Sequence, residues 1–85
     1  MGKNSGALVH ANQTWEITSE GTINALKSKI MPGAKVSTLT PPNDKNGSQQ
    51  IYVKYSGEGR PGEVPNGSKF WVKCTGLVAK AQRVA

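Results

Sequence analysis

Two short runs hold the residue types best suited to chemistry: "QQIYVKYS" at residues 49–56 and "SKFWVKCT" at residues 68–75. Each alternates in the manner of a half-buried β-strand. In the first, Ile51, Val53 and Tyr55 fall on one side, with Gln50, Tyr52, Lys54 and Ser56 on the other. In the second, Phe70, Val72 and Cys74 lie opposite Lys69, Trp71, Lys73 and Thr75. If the runs pair as an antiparallel hairpin, Tyr52, Trp71, Lys54, Lys69 and Lys73 share one surface. Aromatic rings stack on bases and ammonium groups meet phosphates without reading sequence, which is how sheet-based binders of single strands work. Lys80, Arg83 and Arg60 would extend the basic track. A plainer account also exists. Cross-strand aromatic pairs stabilise hairpins, and exposed lysines deter edge-to-edge aggregation. The face assignment is sensitive, since a one-residue slip reverses it.

The remaining candidates lead away from catalysis. Cys74 is the only cysteine and shares its side with Phe70 and Val72, where it behaves as a small hydrophobe. A nucleophile would need an exposed thiolate and a neighbouring base. His10, the only histidine, lies opposite the apolar side of its strand and has no evident partner for proton transfer or metal binding. Residues 57–62, "GEGRPG", spell G-x-G-x-x-G after a strand, but turn residues follow where a dinucleotide site needs a helix. The five acidic residues form no catalytic pair, and Glu16 and Glu20 suit cap and solvent positions. The expectation is no enzymatic activity, no cofactor and no metal.

Charge points to the partner. Eleven Lys/Arg against five Asp/Glu give a net +6. No acid follows Glu63, whereas Lys69, Lys73, Lys80 and Arg83 all do. A one-sided positive field draws polyanions such as nucleic acid or an acidic protein surface. Lys27, Lys29 and Lys35 make a second, weaker cluster that a helix C-terminus would explain through its dipole. No segment approaches membrane-spanning length, so no membrane insertion is expected. Residues 1–13 lack the apolar run of a signal peptide, which makes a cytoplasmic location the expectation.

These side chains need a frame. A chain of 85 residues, 35% hydrophobic, suits one domain, here 8–85, with a flexible segment at 1–7 and a mobile loop at 57–67. Strands are expected near 8–17, 34–40, 49–56 and 68–84. A helix is expected near 19–31, from a Thr18 or Ser19 cap, an Ile23, Leu26 and Ile30 stripe, and a Pro32-Gly33 stop. Asn46-Gly47 marks a hairpin turn. In the last strand the inward set shifts parity at Thr75-Gly76, from Phe70, Val72 and Cys74 to Leu77, Ala79 and Ala81, the pattern of a β-bulge. The fold class expected is α+β, mostly β: a small curled antiparallel sheet or open barrel of about 4–5 strands, with one helix after the first strand. An SH3-like or OB-like barrel fits that outline by architecture alone. The leading functional expectation is low-specificity binding of single-stranded DNA or RNA. The alternative is a non-enzymatic subunit, either a homodimer or an accessory part of a larger assembly of phage or mobile-element type. It would use Trp71 and the C-terminal strand.

Overall fold

The computed structural model describes residues 9–85, and the segment expected to be flexible at 1–7 lies outside them. In chain order the elements are β1 (Thr14–Ile17), β2 (Gly21–Ile23), a 3-10 turn (Asn24–Leu26), β3 (Ser28–Ile30), β4 (Lys35–Thr38), β5 (Asn43–Lys45), β6 (Ser48–Ser56), β7 (Lys69–Lys73), α1 (Cys74–Lys80) and β8 (Ala81–Arg83). The long strand β6 organises the main sheet. β7 lies antiparallel along one edge of it, while β4 and β5 share the other edge, against residues 53–56 and 48–50. β4 pairs onward with β1, and β1 with β8, all antiparallel. β7 and β8 end the sheet without meeting each other, so it is not closed. The expectation of a mostly β, antiparallel α+β chain holds at that level. The position of the helix does not.

Residues 19–31 form no α-helix. β2 and β3 pair as a hairpin, with Ile23 opposite Ser28, and Lys27 closes the turn in the left-handed region at φ 52°. Gly21 and the β-branched Thr22 and Ile23 favour extended backbone over helix. The proposed stripe also had too little to bury: Ile30 is buried and Ile23 half-buried, but Leu26 is exposed. A short helix with one buried residue cannot repay nucleation, whereas a hairpin bonds to itself. Lys29 reaches Glu20 at 2.8 Å, which holds Glu20 below and Lys29 above their ordinary titration ranges.

The helix instead occupies the stretch read as a bulge. Cys74 and Leu77 are buried and stand at i and i+3, a helical spacing, while Ala79 is exposed and the buried Ala81 belongs to β8. The parity change at Thr75-Gly76 is a change of period. The first strand is also shorter than 8–17. Asn12 turns the chain at φ 62°, and the ladder starts at Thr14. Buried Gln13 accepts hydrogen bonds from the His10 N–H at 2.9 Å and the Trp15 indole N–H at 3.1 Å, so it serves as a polar bracket inside the fold.

One core gathers Trp15, Ile17, Val36, Ile51, Val53, Tyr55 and Phe70 from the inner sheet face with Cys74 and Leu77 from α1. The segment 57–67, expected to be a mobile loop, contributes two buried anchors, Glu63 and Val64. The Val64 N–H donates to the Lys29 carbonyl and the Lys29 N–H to the Gly62 carbonyl, both at 2.9 Å, tying the loop to β3. The Glu63 carboxylate accepts the Tyr55 hydroxyl at 2.5 Å and the Arg60 backbone N–H at 2.8 Å, with the Arg60 guanidinium 3.3 Å away.

Candidate nucleic-acid interface

The register between β6 and β7 builds the site. Tyr52 stands opposite Trp71, Lys54 opposite Lys69, and Gln50 opposite Lys73. Directly opposed residues in an antiparallel pair share a face, so these side chains lie together on the side away from the core. The Tyr52 and Trp71 ring centroids are 5.2 Å apart and tilted by 41°. Both rings are half-buried. Such tilted pairs contribute about 0.5–1.5 kcal/mol beyond the area they bury.

Two lysines absent from the sequence-based set join this face. The turn at Asn46-Gly47, with φ 55° and 83°, places Lys45 opposite Ser48, and the Lys45 ammonium rests 4.3 Å from the Trp71 ring centroid. This is a cation–π contact of the kind worth about 0.5–1 kcal/mol at exposed sites. Lys35 pairs with Ser56 and therefore also faces outward. Both positions were within reach of the sequence: a two-residue hairpin fixes the residue before it, and Lys35 precedes the inward Val36. Lys35, Lys45, Lys54, Lys69 and Lys73 have no ion-pair partner among the described residues; the ion pairs there are Lys29–Glu20 and Arg60–Glu63.

The other three expected contacts lie elsewhere. Arg60 is held by Glu63 and by the Pro32 carbonyl at 3.1 Å, which makes it a brace for the 57–67 loop. Lys80 ends α1 and donates to the Glu20 carbonyl at 3.1 Å. Arg83 pairs with the buried Trp15 in the β8–β1 register and so belongs to the opposite side of the sheet. The platform is thus Tyr52, Trp71, Lys54, Lys69 and Lys73 with Lys45 and Lys35 added.

Cys74 is fully buried and its thiol is pushed up by burial, away from thiolate chemistry. Among the described residues no group of three or more His, Cys, Asp or Glu side chains could hold a metal ion, and no helix is long and apolar enough to cross a membrane. Comparison with protein-family models, curated proteins and solved structures finds no match for this chain.

Proposed function

We propose that this protein binds single-stranded nucleic acid with low sequence specificity across the outer face of β6 and β7. The observation that carries the reading is the cross-strand Tyr52–Trp71 pair framed by Lys45, Lys54, Lys69 and Lys73, which have no ion-pair partner among the described residues. Rings of this kind accept the π-face of any base, and lysines meet phosphates as point charges, so the face has little with which to read sequence. Lys45, parked on the Trp71 ring, keeps positive charge at the stacking position. An entering base would displace the ammonium toward the adjoining phosphate. The connectivity, with β8 returning to β1 and β7 outermost beyond β6, favours an open SH3-like arrangement over an OB-like one. Architecture of that kind leaves function to the site.

The test is a fluorescence titration with a mixed-sequence single-stranded oligonucleotide at low salt. Trp15 is buried with its indole N–H bonded to Gln13, so it supplies a constant background. Quenching is expected in the native protein and absent in Trp71→Phe, with affinity falling steeply as salt is added. Quenching that ignores salt, or none at all, removes the proposal.

A further inference from the structure

We propose that the outer edge of β7 accepts an extended, carboxylate-bearing peptide as an added strand. The proposal differs from the nucleic-acid reading in using the backbone of β7 and not its outward rings, and it shares Lys69 and Lys73 with that face. The Tyr55 N–H donates to the Ser68 carbonyl and the Tyr55 carbonyl accepts from the Gly67 N–H, both at 2.8 Å, so Tyr55 turns its backbone groups toward the β7 side. Bonded pairs alternate along an antiparallel ladder, so Val53–Phe70 and Ile51–Val72 are bonded as well. Phe70 and Val72 therefore spend their backbone groups on β6. Lys69, Trp71 and Lys73 turn theirs the other way, where β7 has no strand neighbour among the described residues. No turn or loop hydrogen bond engages the outward groups of Lys69 and Trp71 among the described residues, while the Lys73 carbonyl caps the first turn of α1.

This edge forms one wall of a groove of about 370 Å³. Phe70, Trp71, Val72 and Lys73 line it consecutively. Gln50 and Val53 of β6 join this run, so the groove reaches from the edge of β7 over the inner face of the sheet. The facing wall is the consecutive run 21–25, and β2 within it pairs only with β3. The floor is apolar, built from Ile17, Val36 and Leu77. A segment entering here finds backbone partners for hydrogen bonds and an apolar bed for alternate side chains, the two requirements of strand addition.

Charge selects the occupant. Lys73 and Lys80 line the groove and Lys69 stands at the far end of β7. A second copy of a +6 chain would set lysine against lysine across the new ladder. Carboxylates on the outward positions of a peptide would meet these ammonium groups instead.

The whole isotope-labelled protein is titrated with a capped synthetic peptide alternating Glu and Val. Four companions are a Lys and Val version, two versions of the Glu peptide N-methylated on alternate sets of amides, and a buffer blank. Amide shifts are expected at Lys69–Lys73 and across residues 21–25, with slowed hydrogen exchange at the Trp71 N–H. The two N-methylated peptides should differ by roughly tenfold, since only one set of amides faces β7 and each lost bond costs about 0.5–1.5 kcal/mol. The Lys and Val peptide should bind more weakly than the Glu peptide. Equal binding by the two N-methylated forms, including none by either, overturns the added strand, as do shifts confined to the Tyr52 and Lys54 face. Equal binding by the Lys and Glu peptides overturns the carboxylate preference. A doubled sedimentation mass without peptide, with the Trp71 N–H already protected, replaces the peptide by a second copy.

Discussion

Glu63 sits within the apolar part of the fold, and its neighbours are arranged to keep it ionised. The Tyr55 hydroxyl and the Arg60 guanidinium and backbone N–H hold its carboxyl down at about 2, against an ordinary 4.5. Burial, with the bond to Glu63, pushes the Tyr55 hydroxyl up to about 12 from an ordinary 10. The two shifts act at opposite ends of the pH scale. A depressed carboxyl contributes stability that is present above pH 4.5 and lost as pH falls toward 2. A raised phenol contributes stability that is present below pH 10 and lost as pH rises through 12. Urea midpoints measured against pH should therefore form a plateau with two falling limbs. Glu63→Gln should flatten the acid limb and Tyr55→Phe the alkaline one; an acid limb that persists unchanged in Glu63→Gln assigns it elsewhere. Gly57 tests the packing of the same pair. A Cβ there would lie 2.5 Å from both Tyr55 Cε2 and Glu63 Oε2. Gly57→Ala should cost roughly 1–3 kcal/mol by chemical denaturation, as overpacking does.

At the scale of elements, β6, β7 and the Asn46-Gly47 turn were legible because each carries one unambiguous local signal. Residues 50–56 alternate cleanly, Phe70 is buried between exposed Lys69 and half-buried Trp71, and Asn-Gly tolerates the positive φ that such a turn requires. The shared face of Tyr52 and Trp71 followed from that alternation alone. The region 19–31 was not legible, because Ile23, Leu26 and Ile30 satisfy a helical period by chance while β-branching and Gly21 oppose it. Residues 74–80 failed in the reverse sense: Cys74 and Leu77 keep helical spacing, but seven residues give too few turns to override a strand pattern running into them. The ties of the 57–67 loop depend on contacts with Tyr55 and Lys29 that no local window contains. The hairpin also governs the site. Gly47→Ala, at φ 83°, should cost roughly 1–2 kcal/mol. It should also loosen β5, which faster hydrogen exchange at Asn43–Lys45 and a changed Trp71 emission would register as Lys45 leaves the ring.

For the whole molecule, the net +6 matters through its placement. Lysines cluster on the outer face, while Lys29 and Arg60 are ion-paired with Glu20 and Glu63. Replacing Lys54, Lys69 and Lys73 by glutamine should lower the slope of log affinity against log salt by roughly 2, at about 0.7 per phosphate contact with a single strand. Tyr52→Ala should weaken oligonucleotide binding by roughly 1–3 kcal/mol while leaving that slope nearly unchanged. A slope that falls as much for Lys80 and Arg83 as for the three platform lysines would move the footprint to the opposite side of the sheet. The central placing of β1 has a consequence for synthesis. β1 lies between β4, close behind it in the chain, and β8, which leaves the ribosome long afterwards. During translation the nascent chain can zip β1 through β4, β6 and β7 in order. It must then hold one flank of its earliest strand open until Ala81–Arg83 emerge to cover it.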